Sequence, residues 1–165
     1  MKGTFEVEVV DLSHDGRGVA RHQGKAIFVA GALPGETVRV MRQKRRSRHD
    51  EAELVEVLSA SPDRVTAPCA HYDRCGGCAL QHLAPEAQLQ AKHAQLVSEL
   101  ARIGKVAPDV WLEPLSGPWL QYRRKARLGV RVLPKSGRAI IGFRERHSAL
   151  LANRSEEHTS ELQSH

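Results

Sequence analysis

Thr4-Phe5-Glu6-Val7-Glu8-Val9 sets apolar Phe5, Val7 and Val9 against polar Thr4, Glu6 and Glu8. This period of two marks a half-buried strand. Working outward, Asp15-Gly16-Arg17-Gly18 supplies a turn and Lys25-Ala26-Ile27-Phe28-Val29 the next apolar run. Leu33-Pro34-Gly35-Glu36 turns again into Thr37-Val38-Arg39-Val40, and Glu51-Ala52-Glu53-Leu54-Val55-Glu56-Val57 ends the series. Its alternation breaks at Leu54-Val55, which fits a bulge. Strands this short and evenly spaced predict a small closed barrel, and the chain as a whole reads as mainly β with one helix, an α+β class.

The three cysteines of the chain fall in one stretch, Cys69-Ala70-His71-Tyr72-Asp73-Arg74-Cys75-Gly76-Gly77-Cys78. Thiolates are the preferred ligands of zinc and of iron–sulfur clusters, and Cys75-Gly-Gly-Cys78 sets two of them one tight turn apart. The bland alternative is three buried thiols acting as small hydrophobes. Three ligands leave a tetrahedral site one short. Zinc would recruit His71 or His82, whereas a [4Fe–4S] cluster asks for a fourth cysteine. An odd count and no secretory signal argue against a disulfide framework.

The 165 residues carry 25 basic and 19 acidic side chains, a formal charge of +6. Residues 1–68 are nearly balanced, 11 against 10, while residues 69–153 hold 13 basic and 6 acidic. The excess therefore sits in the second half, which suits a polyanion partner. No apolar run reaches the ~18 residues of a membrane span and charge interrupts the N-terminus at once, so the expectation is a cytoplasmic, reduced protein without a membrane or an obligate protein partner. Aromatics make up 4% of the chain, too few for a base-stacking sheet.

Lys44, Arg45, Arg46 and Arg48 crowd the connection between the last two strands, either a solvated hairpin tip or a phosphate contact. From Ala84 to Gly104 the pattern is helical, with Pro85 in the first turn, Gly104 as the stop, and Leu89, His93, Leu96, Leu100 and Ile103 on a stripe expected to face the body. His93 reads as a boundary histidine, not a ligand. Trp111 and Trp119 are expected to anchor a proline-bearing linker to a core. Residues 121–145 predict a hairpin. One face carries Tyr122, Arg124, Ala126, Leu128, Val130 and Val132, and the other Arg123, Lys125, Arg127 and Arg131. Four cations on one face repel each other unless an anion screens them, so Arg123, Lys125 and Arg127 are candidate RNA contacts.

Cys-x5-Cys-Gly-Gly-Cys-x2-Gln-His, the basic Tyr122-Arg123-Arg124-Lys125-Ala126-Arg127 and Gly142-Phe143-Arg144 together resemble the iron–sulfur 23S rRNA (uracil-C5)-methyltransferases of the RlmD (RumA) type, from about Thr4 to about Asn153. The resemblance implies a TRAM domain, an OB-like RNA-binding barrel, over 1–62; a metal-binding cysteine motif and helix over 63–106; and the start of a central β domain over 107–153. It implies Cys69, Cys75 and Cys78 as ligands of a [4Fe–4S] cluster, with the fourth cysteine some fifteen residues past Gly-Phe-Arg, and 23S rRNA as partner. It also implies a Rossmann-like S-adenosylmethionine domain, carrying the catalytic and cofactor-binding residues, that has no counterpart in these 165 residues. Residues 154–165, Arg-Ser-Glu-Glu-His-Thr-Ser-Glu-Leu-Gln-Ser-His, break every pattern and read as a translated sequencing adapter, so a truncated and inactive chain is expected. The competing expectation is a stand-alone TRAM-type RNA-binding protein with a zinc site.

Overall fold

The computed structural model describes residues 3–146 and 148–153; the adapter-like stretch lies outside them. Five strands, β1 (Thr4–Leu12), β2 (Arg17–His22), β3 (Lys25–Ala30), β4 (Thr37–Arg45) and β5 (His49–Ser59), close into a barrel in the order β1-β2-β3-β5-β4. Pairings are antiparallel except β3 with β5, a parallel pair that seals the cylinder from Ala26 opposite His49 to Ala30 opposite Glu53. Every second residue points inward, and Val7, Val9, Ala20, Ile27, Val29, Val38, Val40 and Ala52 fill the interior. Between β2 and β3, Gln23 and Gly24 both take positive φ (52° and 77°), the two-residue connection whose twist matches flanking strands.

The expected bulge is present. Arg39 pairs Glu56 but Val40 pairs Leu54, leaving Val55 as the extra residue. Similar slips leave Val10 and Leu58 unpaired, and all three apolar side chains are exposed. A bulge reverses the local alternation, which is how apolar residues come to stand on the wet face.

At one rim of the barrel Glu36 is fully buried. Its carboxylate accepts from Leu33 N–H at 2.8 Å, Ser61 N–H at 3.2 Å, and Arg64 Nε and Nη2 at 2.5 and 2.7 Å. Arg64 Nη2 also donates to Gly31 O at 2.7 Å. This network ties the β3–β4 turn to the segment leaving β5. That segment then pairs with the approach to the helix: Val65 N–H donates to His82 O and Ala84 N–H to Asp63 O, both at 2.9 Å.

The helix α1 (Pro85–Glu99) begins as expected with proline in its first turn, but Gly104 is not what stops it. It passes through a π-turn, Leu100–Gly104, and ends where Lys105 adopts a left-handed φ of 55°. The predicted stripe does not face the body: no helix residue is buried, and Leu96 and Ile103 are 49% and 80% exposed. Small side chains, Ala87, Ala91, Ala94 and Ser98, instead line a cleft of about 680 Å³ shared with barrel residues that include Asp11 and Arg21. The same cleft is lined from the barrel by Leu12, Val19 and Phe28, yet the side chains the helix turns toward it are small and polar ones. His93 stays a boundary residue, edge-on to Trp111 at 5.1 Å. Trp111 and Trp119 are 41% and 42% exposed, less anchored than the sequence suggested.

Two compact units result. Met1–Thr66 with His82–Gly117 forms the barrel and helix; Ala67–Gln81 joins the residues from Pro118 onward. In the second unit β6 (Gly129–Val132) and β7 (Ala139–Gly142) form a short hairpin. The strand predicted over 121–128 is absent, and Gln121 turns at a φ of 57°. Four residues of β7 leave no partner backbone for eight more residues, and an unpaired strand does not persist in water.

Burial alone would push the Glu36 carboxyl up; Arg64 and the N–H groups of Leu33 and Ser61 outweigh it and hold it below the usual glutamate range. A folded-state pKa below the unfolded value contributes stability that is present above the unfolded pKa and lost as pH falls through the folded one. Urea unfolding is therefore expected to show stability declining once pH drops below the ordinary glutamate range. Glu36→Gln should remove part of that acid limb and lower stability at neutral pH by about 2–4 kcal/mol, since it leaves Arg64 without its counter-charge.

Candidate nucleic-acid interface and thiol loop

The strand alternation that fills the barrel also delivers charge to its other rim. Asp50, buried, receives Lys25 Nζ at 2.6 Å and Arg42 Nε at 2.9 Å. The hydrogen bond from Lys25, the attraction of both cations and a contact with Arg46 outweigh desolvation and hold the Asp50 carboxyl below its usual range. Arg42 also lies over the Phe5 ring at 5.0 Å, and Phe5 packs on His22 at 4.4 Å between ring centres. Lys25 and Arg42 are thus committed to closing the barrel.

The four predicted cations beside them divide. Lys44 and Arg46 make loose exposed pairs with Glu51 at 3.9 and 3.4 Å. Pairs of this kind contribute ~0–1 kcal/mol and exchange readily for a phosphate. Arg45 and Arg48 are exposed and engage no carboxylate among the described residues. On the outer wall Arg17 lies over Phe28 at 4.8 Å, and His49 meets that ring edge-on at 5.2 Å. This cation and ring pairing went unseen in the sequence, because Arg17 and Phe28 are neighbours only through the β2–β3 register.

In the second unit Arg123, Lys125 and Arg127 are exposed on an irregular segment, and Arg123 lies 5.8 Å from the Tyr122 ring centre. Outside a strand they have no common face, so the repulsion expected of a cationic strand does not arise.

The thiol loop belongs to the same unit. Cys75 is buried, Cys69 half-buried and Cys78 exposed, and all three are free thiols. Tight backbone bonds wind the loop: Tyr72 N–H to Cys69 O at 3.0 Å, and Cys75 N–H to His71 O at 2.8 Å. Gly77 N–H points at Cys75 Sγ at 3.4 Å. The glycines have a further purpose that sequence reasoning missed. A Cβ on Gly76 would stand 2.8 Å from Arg144 O, and one on Gly77 2.9 Å from the Phe143 ring. They let the loop lie directly on residues 143–146, where Arg74 pairs with Glu145 at 2.7 Å. The hydrogen bond from Ser148, followed by Arg74, keeps the Glu145 carboxyl below its ordinary range. Three soft donors and an N–H aimed at sulfur suit thiophilic metal chemistry. Among the described residues, however, no three of His, Cys, Asp and Glu converge closely enough to hold a metal ion.

Residues 3–48, which lie within the closed five-stranded barrel, match the TRAM domain family. The chain is a relative of the RlmD-type 23S rRNA (uracil-C5)-methyltransferases. It is 48% identical over 149 residues to the 23S rRNA (uracil(1939)-C(5))-methyltransferase RlmD of Alkalilimnicola ehrlichii, covering 90% of this chain and 33% of that protein. Proteins of the same name from Alcanivorax borkumensis and Stenotrophomonas maltophilia are 49% and 51% identical, over 86% and 92% of this chain and 32% and 35% of theirs. The chain therefore spans about a third of the length of the curated relatives it matches.

Gly76→Ala tests the seating of the loop. The added methyl meets backbone, which cannot swing aside, so amide exchange over residues 69–78 should accelerate while the barrel amides stay protected. The cost expected for forcing a methyl into a filled space is ~1–3 kcal/mol.

Proposed function

We propose that these residues are the RNA-holding and cluster-bearing portion of an S-adenosylmethionine-dependent methyltransferase that forms 5-methyluridine in 23S rRNA. The observation that carries the reading is similarity near 50% over nine-tenths of the chain to enzymes of that name. The TRAM match and the three-thiol loop support it.

In this reading the barrel and the later basic segment grip phosphates, and the target base is presented elsewhere. Arg45 and Arg48 act first, because neither has to leave a carboxylate; Lys44 and Arg46 follow by exchanging Glu51 for phosphate. Arg123, Lys125 and Arg127 add a second group of contacts. Such contacts position without reading sequence. Cys69, Cys75 and Cys78 would hold three corners of a [4Fe–4S] cluster, with the fourth thiolate supplied by resemblance from beyond Gly142-Phe143-Arg144. When bound, that group supplies a covalent cross-link for a loop too small to build its own core. Orientation of a methyl donor against uracil C5, worth ~7–11 kcal/mol of barrier, is assigned to the part of the relatives that this chain does not span. The 165 residues alone are accordingly proposed to transfer no methyl group.

RNA affinity measured against salt is expected to show a log–log slope of roughly −3 to −5, for about four to six phosphates neutralised. Arg45→Ala with Arg48→Ala should make it shallower by roughly 1 to 2 and weaken all structured RNAs alike. A flat salt dependence would sink the phosphate-grip reading.

Anaerobic reconstitution followed by metal and sulfide analysis tests the cluster. Iron with acid-labile sulfide, held weakly and lost on Cys75→Ser, is the expected result. Stoichiometric zinc without iron would replace this reading with that of a zinc-bearing TRAM-type RNA-binding protein.

A further inference from the structure

The strand-like run after Gly142 lies along the cysteine turn. Cys75 and Glu145 form an antiparallel bridge, Gly76 N–H donates to Arg144 O at 2.8 Å, and Arg146 N–H donates to Arg74 O at 3.0 Å. The Arg146 side chain then crosses the turn. Its Nε donates to Cys75 O at 3.2 Å and its Nη2 to Cys78 O at 2.8 Å. The guanidinium carbon stands 4.1 Å from the centre of the Tyr72 ring. Tyr72 is buried and donates its hydroxyl to Ala79 O at 2.6 Å, so the ring beneath the cation is itself fixed.

One planar cation thus joins the two cysteine carbonyls of the Cys-Gly-Gly-Cys turn while stacking on a held ring. Hydrogen bonds from a charged donor are stronger than neutral ones, and the ring face adds attraction. A lysine would keep the charge over Tyr72 but lack the rigid fork that reaches two acceptors at once. Arg146 contacts neither sulfur. Its effect on the thiols passes through the backbone that carries them, and it should be felt most at Cys75, which is only 4% exposed, and least at the already exposed Cys78.

We propose that Arg146 is a positioning residue of the thiol loop, fixing the backbone of Cys75 and Cys78 before any metal arrives. Its consequence for metal retention rests on the proposed function; the holding of the loop does not.

The test uses the reduced, metal-free 165-residue chain, with iodoacetamide alkylation followed cysteine by cysteine by mass spectrometry. Arg146→Ala is expected to speed Cys75 alkylation about tenfold, the size of one charged hydrogen bond lost, with Cys69 and Cys78 changed less than about twofold. Arg146→Lys should resemble the alanine variant. Alkylation of Cys75 unchanged in both variants would overturn the proposal. So would an equal rise at all three cysteines, since that reports general unfolding. After anaerobic loading with ferrous iron and sulfide, Arg146→Ala should lose iron to a chelator about tenfold faster than the parent chain. A parent chain that takes up no iron, yet shows the selective Cys75 response, would overturn the cluster assignment and uphold the role of Arg146.

Discussion

A carboxylate with no access to water has to be met from every side, and Glu36 is met by a guanidinium and two backbone N–H groups. Leaving any of these donors unmatched in the interior carries a large penalty, so the groups that supply them are fixed together. Leu33 comes from the turn before β4 and Ser61 and Arg64 from the chain leaving β5. Their convergence decides where residues 61–65 run, hence where Leu83 and Ala84 pair with them and where α1 begins. The apolar barrel interior provides most of the burial, but it would tolerate several exits for the chain. The buried charge selects one.

Much of the barrel was legible because period-two patterning and burial are the same fact seen twice. Phe5, Val7 and Val9 alternate in sequence and line the interior in space, and the single lapse at Leu54-Val55 marked a real slip of register. Glu36 was not legible: in sequence it is the polar end of Leu-Pro-Gly-Glu, an ordinary turn, and only tertiary pairing with Arg64 shows its importance. The helix was legible as a helix and misread as an amphipathic one. Leucine spacing tells which residues share a stripe, but not which stripe the rest of the fold turns inward. The predicted length of the later hairpin failed for a related reason. Alternation in residues 122–128 describes a strand only where another strand is present to pair with it.

The candidate site divides in the same way. Net charge and its concentration at residues 44–48 and 123–127 could be counted in the sequence, but not how each charge is spent. Arg42 and Arg45 sit three positions apart in one basic run; the first faces into the barrel mouth and is bound to Asp50, and the second faces water. Both stand opposite buried β5 residues, Ala52 and Asp50, so strand parity does not sort them; of the two only Arg42 is paired with the Asp50 carboxylate, and the register here is hard to read in sequence because Gln43 is unpaired between Arg42 and Lys44. The cysteine spacing suggested a metal-type loop, but among the described residues no three ligands converge there. The support beneath that loop, Phe143, Glu145 and Arg146, is distant in sequence, and although Gly142-Phe143-Arg144 is recognisable there, nothing in it tells that it lies against the cysteines.

That distance bears on how the chain is made. The barrel and its Glu36 network are complete once Arg64 has emerged, whereas the contacts that steady the cysteine turn wait for Arg146, 71 residues after Cys75. At ribosomal rates of roughly 5–20 residues per second, the thiols spend about 4–14 s outside the tunnel behind a folded barrel and without their supporting segment. During synthesis, then, the soft-ligand stretch is a nascent, unfolded tether, open to thiol chemistry from the cell's small molecules before its own structure can shield Cys75.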